Sequence, residues 1–294
     1  MKILLVDNGS LEPAAVLALR EVAAQLSARV GREVFPVSMA HSDKIPAAAL
    51  GPGGVAQCVE AFLREQLAAG EREFAILPFF IGPSRAVTHA LPKIIETHRA
   101  DFPELRVKLA PPLHAAGDLT LARILAERVR AAQREIVECR RAGERPLRPV
   151  RVALVDHGSP TPAVTAVRDE VAAQLAATLR EDAGVAEVAE CSMERRPGPA
   201  YAFNEPLLET LLARDGWRDS TVIVAPLFLL PGRHAGAGGD IAQICTRART
   251  QTPSPAGTRS TAPATLLQTA PLSPHPQLID LLTQCLGASL GSRK

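Results

Sequence analysis

Three positions in the second half of this chain carry side chains that bind metal ions and move protons, and each stands where an apolar run ends. His157 follows Arg151-Val152-Ala153-Leu154-Val155-Asp156. Glu194 closes Cys191-Ser192-Met193-Glu194. His234 ends Pro226-Leu227-Phe228-Leu229-Leu230-Pro231-Gly232-Arg233-His234. Two imidazoles and a carboxylate make a mixed nitrogen and oxygen site suited to a divalent first-row metal. A neutral imidazole offers a lone pair, and it exchanges its proton near working pH. The same groups can accept protons that a substrate gives up. Three protein ligands leave coordination positions open, as transfer chemistry requires. Taken singly, each residue has a plainer reading: either His as a turn residue or helix cap, and Glu194, with Arg195 and Arg196 behind it, as a solvated charged turn.

The elements that must position these residues occur twice. Lys2-Ile3-Leu4-Leu5-Val6-Asp7-Asn8-Gly9-Ser10 returns as Arg151-Val152-Ala153-Leu154-Val155-Asp156-His157-Gly158-Ser159, a shift of 157 − 8 = 149 residues. Glu21-Val22-Ala23-Ala24-Gln25-Leu26 returns unchanged as Glu170-Val171-Ala172-Ala173-Gln174-Leu175 at the same shift, 170 − 21 = 149. Ser38-Met39 aligns with Ser192-Met193, and Pro78-Phe79-Phe80 with Pro226-Leu227-Phe228. His157, Glu194 and His234 therefore stand opposite Asn8, Ala40 and Ala86. All three reactive groups are missing together from the first copy, which points to a single site in the second.

Each copy reads as strands alternating with helices. In the first, strands are expected at 2–7, 33–39, 74–80 and 105–110. Helices are expected from Pro13, over 54–67, through Leu91 and Ile95, and over 119–141. In the second, strands are expected near 150–155, 186–192, 220–229 and 265–269, and helices near 162–180, 203–214, 240–250 and 275–287. Continuous Val-, Ile- and Leu-rich strands joined through helices form parallel sheets covered on both faces. Such sheets bind ligands beyond the carboxyl ends of their strands, where the strand order reverses. The repeat sets two modules, 1–147 and 148–294, with Gly143-Glu144-Arg145-Pro146 as the linker. The Thr-, Ser- and Pro-rich stretch Thr252–Pro263 reads as a mobile surface loop.

Composition narrows the partners. A chain of 294 residues with 47% apolar and 22% charged residues can bury two cores. A net charge of +2 and 3% aromatics give no case for nucleic acid. No apolar run reaches membrane-spanning length, and the first ten residues do not read as a signal peptide. The five cysteines are odd in number and lack a CxxC pair, so neither a disulfide framework nor a zinc knuckle is indicated. A reducing cytoplasm is the expected compartment. A phosphate- or nucleotide-binding protein would need a glycine-rich turn opening a helix. Gly51-Pro52-Gly53-Gly54 and Gly236-Ala237-Gly238-Gly239 are the candidates, and neither has that spacing.

The set resembles the class II chelatases, specifically the sirohydrochlorin chelatases of cobalamin and sirohaem biosynthesis. The carriers are His157-Gly158-Ser159 after the first strand, Glu194 after the second, and Gly232-Arg233-His234 with Asp240-Ile241 after the third. Ala270-Pro271-Leu272-Ser273-Pro274-His275-Pro276 is similar to the family's last strand–helix junction. The stretch Ala235–Gly239 is longer than the family's. The resemblance implies two flavodoxin-like α/β modules of ferrochelatase type facing a central cleft. It also implies insertion of Co²⁺, Fe²⁺ or Ni²⁺ into a metal-free tetrapyrrole, with no organic cofactor. On that model His157 and His234 hold the metal and take pyrrole protons, and Glu194 assists.

Sirohydrochlorin is a polycarboxylate, so Arg195, Arg196, Arg233 and Arg85 are candidates to pair with its acid groups. Exposed solubilising charge is their other reading. His41 and His89 lie near the first copy's loops, displaced by one position from Ala40 and three from Ala86. They read either as aids to metal delivery or as ordinary polar loop residues. The same fold and the same histidines would also serve a metal or tetrapyrrole carrier without turnover. Two fused modules are compatible with a monomer or a homodimer.

Overall fold

The computed structural model describes residues 1–139, 149–182, 184–218, 220–250 and 265–291. The expected linker at 143–146 and the loop at 252–263 lie outside the described residues. The first repeat runs β1 (Lys2–Asp7), α1 (Pro13–Val30), β2 (Val34–Ser38), α2 (Val59–Ala68), β3 (Glu73–Pro78), α3 (Leu91–Asp101), β4 (Arg106–Leu109) and α4 (Thr120–Glu138). The second runs β5 (Val150–Asp156), α5 (Pro162–Thr178), β6 (Val185–Ser192), α6 (Leu208–Ala213), β7 (Thr221–Pro226), α7 (Asp240–Thr250), β8 (Thr265–Gln268) and α8 (Pro276–Gly291). The α/β alternation read from the sequence is what the chain adopts.

Both sheets are four-stranded and parallel throughout, in the orders β2-β1-β3-β4 and β6-β5-β7-β8. The central strands β1 and β5 are apolar on both faces: Ile3, Leu4, Leu5 and Val6 are fully buried, as are Val152, Ala153, Leu154 and Val155. Burial of each large side chain contributes roughly 1.5–3 kcal/mol. Helices α1 and α5 begin on Pro13 and Pro162, whose missing N–H costs nothing in the first turn. Gly31 ends α1 in the left-handed region, with its amide returned to the Ser27 carbonyl.

Two helices are shorter than their sequence pattern. The helix expected from residue 54 starts at Val59, because Gly54 is left-handed (φ 67°) after a 3₁₀ turn at Gly51–Gly53. The helix expected over 203–214 starts at Leu208. Pro206 has no N–H, and Glu205 before it is extended as the pyrrolidine ring requires. Ahead of it lies a 3₁₀ helix, Pro199–Asn204.

The compact units do not follow chain order. Unit 1 comprises Met1–Asp118, Leu229–Arg233 and Ser273–Lys294; unit 2 comprises Leu119–Phe228 and His234–Leu272. Helix α4 therefore packs on α5 and β7, and α8 on α1, β3 and β4. Arg130 on α4 holds Asp182 at 2.7 Å, and Arg29 on α1 holds Asp280 on α8 at 2.6 Å. The repeat boundary near 147 and the unit boundaries are thus different things. Among the described residues no helix is long and apolar enough to cross a membrane.

One glycine in each repeat is fixed by close approach. Gly9 and Gly158 have φ of 87° and 89°, and a Cβ on either would overlap the carbonyl oxygen of Ala40 or Glu194. Gly158→Ala is expected to destabilise the protein by about 3 kcal/mol, combining left-handed strain with backbone displacement. Denaturant unfolding of that variant against the parent checks it.

Candidate metal centre

Strand register brings the three sequence-selected residues together. Strands β6, β5 and β7 are adjacent, and their last residues align: Asp156 with Ser192, and Val155 with Pro226. The order reverses between β5 and β7, which makes the carboxyl ends of these strands the switch point. His157 leaves β5 there, Glu194 leaves β6 two residues past its end, and His234 comes off the loop after β7.

The turns after β5 and β6 are tied directly. The Met193 amide donates to the Asp156 carbonyl at 2.8 Å, and the Glu194 amide to the His157 carbonyl at 3.2 Å. Gly158 lies against the Glu194 carbonyl, so no side chain separates the two turns. The result is a cluster within unit 2. His157 Nε2 stands 3.6 Å from Glu194 Oε1, and the imidazoles of His157 and His234 meet edge to face, with centroids 4.6 Å apart. His157 and Glu194 are open to solvent and His234 is about one-third exposed. Among the described residues no group of three or more His, Cys, Asp or Glu side chains is arranged to hold a metal ion as it stands.

Both imidazoles are oriented from the side away from their partners. His157 Nδ1 lies 3.0 Å from the Gly158 carbonyl oxygen, which only accepts, so the proton belongs on Nδ1 and Nε2 keeps its lone pair. His234 Nδ1 lies 2.7 Å from Asp240 Oδ2, with the same consequence. In the sequence Asp240 reads only as a helix start; the signal for its contact is its position six residues beyond His234 across a glycine-rich spacer.

Beneath the cluster lies a buried polar network that sequence reasoning missed. Arg168 on α5 is 2% exposed. Its Nη1 donates to Ser192 Oγ at 2.6 Å and to the Asn204 carbonyl at 3.1 Å. Ser192 Oγ donates in turn to Asp156 Oδ1 at 2.6 Å, where the Gly158 amide also arrives at 3.0 Å. Asn204 accepts from the Ser159 amide at 2.8 Å and donates to the Ser159 carbonyl at 3.0 Å. The segment His157–Ser159 is thereby held from below by three elements. Burial raises the Asp156 pKa, and the Ser192 hydroxyl, the Arg168 guanidinium and the Gly158 amide oppose that rise.

The first repeat keeps the carboxylate and loses the cation. Arg168 corresponds to Leu19 (168 − 149 = 19), a visible signal inside a repeated helix. Asp7 is buried like Asp156 and its pKa is raised, chiefly by burial, with Ser38 and the Gly9 amide opposing. Its Oδ1 has no hydrogen-bond partner among the described residues. Ser42 takes the part of Asn204, bonding Ser38 Oγ at 2.9 Å and receiving the Ser10 amide at 3.2 Å.

The remaining candidates fall differently. Arg195 is committed to its own loop: Nε meets Glu205 at 2.6 Å, and Nη1 reaches the carbonyls of Arg196 and Gly198. Arg196 lies over the Tyr201 ring at 5.9 Å. Arg85 and Arg233 are exposed and belong to unit 1. His41, also in unit 1, has φ 72°, a left-handed conformation that costs a non-glycine residue of order 1–3 kcal/mol. His89 lies in a π-helical turn, Ala86–Ala90, with Nδ1 2.7 Å from the Thr88 hydroxyl. Burial pushes the Cys245 thiol up to about 11 and the Cys191 thiol higher still, so neither offers a thiolate to a metal. A cavity of about 780 Å³ at the amino ends of β5 and β6 contains no histidine, and its Asp182 is already paired with Arg130.

The chain matches a protein-family model described as CbiX over residues 2–132 and again over 151–288. Among solved structures it is similar to SirB from Bacillus subtilis with Fe³⁺ (17% identity, TM-score 0.64, covering 99% of this chain and 96% of that one). A second similar structure is the sirohydrochlorin chelatase SirB of Bacillus subtilis subspecies spizizenii in complex with cobalt (15%, TM-score 0.66, 98% and 95%). A third is CbiX, described as the terminal enzyme for biosynthesis of siroheme in denitrifying bacteria (19%, TM-score 0.56, 98% and 99%). At these identities the structural matches establish the shared fold. No curated protein sequence matches the chain.

Two substitutions probe the paired networks. Arg168→Leu, which copies the first repeat, strands a buried carboxylate and is expected to cost about 3–5 kcal/mol in denaturant unfolding. Asp7→Asn is expected to do the reverse. A raised folded-state pKa means that Asp7 contributes stability below its unfolded pKa and loses it as pH rises through the folded value. Removing the ionisable group should therefore raise the melting temperature at neutral pH, with a smaller gain in acid.

Proposed function

The chain belongs to the CbiX family, and on that premise we propose that it is a metal chelatase that inserts a divalent ion, Co²⁺, Fe²⁺ or Ni²⁺, into a sirohydrochlorin-like tetrapyrrole. The observation that carries the reading is the contact of His157 with both His234 and Glu194 at the switch point of one sheet. The equivalent positions of the other repeat hold Asn8, Ala40 and Ala86. The metal-bound SirB structures on the same fold support it.

In this reading the ion is a substrate. It is received by the Nε2 atoms of His157 and His234 and by the Glu194 carboxylate, whose charge offsets part of the cation's. Donor atoms sharing a tetrahedral ion at about 2.0–2.1 Å lie about 3.3 Å from one another. The 3.6 Å between His157 and Glu194 is within a small side-chain rotation of that value. The open coordination positions admit the macrocycle's nitrogens. Two pyrrolic N–H groups each lose a proton as the ion enters, so the dianionic ring neutralises the dication and two protons leave. An imidazole released from the ion accepts such a proton and passes it to solvent, to which His157 is exposed.

Ring carboxylates call for guanidinium partners. Arg196 serves this reading better than Arg195, which Glu205 already holds.

A steady-state assay with metal-free sirohydrochlorin and Co²⁺ tests the proposal, following the change in the ring's absorption. Many turnovers per chain are expected; a change that stops at one equivalent identifies a carrier instead. His157→Ala and His234→Ala should each slow insertion about 100-fold or more, whereas Asn8→Ala should leave it largely intact. Asn8→His alone should create no second site, because Ala40 and Ala86 still supply no ligand.

A further inference from the structure

We propose that Asp240 is a positioning residue for His234: its carboxylate fixes the imidazole proton on Nδ1 and so presents the Nε2 lone pair to the incoming ion. The inference rests on the metal-centre reading of His157, Glu194 and His234 and adds a residue that holds one of them in its working form.

The contact itself is short and directional. Asp240 Oδ2 lies 2.7 Å from His234 Nδ1, and both side chains are about one-third exposed. A carboxylate only accepts, so the pair is complete only in the tautomer with Nδ1–H. In the other neutral tautomer the proton occupies Nε2 and blocks the lone pair that a metal needs. A histidine ligand whose second nitrogen donates to a carboxylate is also a more basic ligand than one whose second nitrogen meets water.

The backbone holds Asp240 in place independently of any ion. It opens α7, where the free amides of the first turn favour an anionic side chain. The loop from His234 is closed on that helix. The Ile241 amide donates to the His234 carbonyl at 3.1 Å, and the Gly239 amide to the Gly236 carbonyl at 3.0 Å. Gln243 and Gln268 side chains donate to the carbonyls of Gly238 and Ala235 at 3.1 and 3.0 Å. A stretch of five small residues, Ala235–Gly239, is thus pinned at both ends and along its length. His234 and Asp240 are delivered to each other by that loop rather than by chance rotamers.

The repeat supplies an independent comparison. At the offset that places Ala86 opposite His234 (234 − 148 = 86), Asp240 falls opposite Pro92 (240 − 148 = 92). The first copy has lost the imidazole and its acceptor together. A carboxylate kept only to start a helix would have no reason to disappear with the histidine, and α3 of the first copy forms without it.

Three measurements on the full chain test the assignment. Long-range ¹H–¹⁵N spectra of histidine-labelled protein without metal read the tautomer directly. The parent should show His234 protonated at Nδ1, and Asp240→Ala should show both tautomers. Co²⁺ titration should give Asp240→Ala an affinity about 10–100-fold weaker than the parent. Asp240→Asn, which keeps an acceptor of the same reach without the charge, should fall between. In the insertion assay KM for Co²⁺ should rise by the same factor, with a smaller change in kcat, while the metal-free melting temperature holds. A parent-like tautomer and parent-like Co²⁺ affinity in both variants overturn the assignment. So does an affinity loss that appears only together with a matching loss of melting temperature. Parent-like Co²⁺ binding by His234→Ala would overturn the metal centre itself, an outcome kept separate because the tautomer is read without metal.

Discussion

A carboxylate buried at the end of a central strand has to be answered by donors, and in the second repeat the answer to Asp156 organises everything above it. Ser192 and the Gly158 amide bond its Oδ1 directly, and Arg168 reaches it through Ser192. Those donors come from β6, from the turn after β5 and from α5. Satisfying one charge therefore joins α5 to the two turns from which His157 and Glu194 project. Leaving such a group partly satisfied is costly in a low-dielectric interior, which makes the arrangement a strict one. The close approach of Gly158 to the Glu194 carbonyl then removes the remaining slack between the two turns.

The first repeat shows the same constraint relaxed. Asp7 keeps its place, its serine and its glycine, yet Leu19 replaces the arginine and one carboxylate oxygen has no hydrogen-bond partner among the described residues. Above it stand Asn8, Ala40 and Ala86 in place of the two histidines and the glutamate. A well-braced floor lies under the proposed metal centre, and a loosely braced one under the positions that hold Asn8, Ala40 and Ala86. Where an imidazole and a carboxylate must meet within a few tenths of an ångström, their backbone has to be fixed; where Asn8 and Ala40 stand, nothing asks for that.

The fold was legible in the sequence because its signals are local and doubled. Apolar strands, helix-opening prolines and a shift of 149 residues are each readable without knowing any contact. Strand ends and the reversal of strand order also select His157, Glu194 and His234, and the structure brings these three into contact. Apolar spacing places the starts of α2 and α6 too early, because Gly54 and the Glu205-Pro206 pair have backbone preferences that stop a helix regardless of what it would bury. A charged residue on a repeated helix such as Arg168 reads as surface; only the three-dimensional pairing with Ser192 and Asn204 puts it inside. In the sequence Asp240 reads only as a helix start, because its distance from His234 depends on how a five-residue loop closes. Nor does any local pattern reveal that Arg195 is already held by Glu205.

The crossing of helices between repeats carries a consequence for biogenesis. The sheet formed by β1 to β4 is covered by α8, a helix that begins 167 residues after β4 ends (276 − 109 = 167), while α4 leaves its own repeat to cover β7. On the ribosome the first sheet must therefore wait, with apolar surface uncovered, until the whole second repeat has been translated. Contacts of such long sequence separation slow the search for the native state and lengthen exposure to chaperones and to neighbouring nascent chains. Each repeat thus depends on a helix of its sibling for completion.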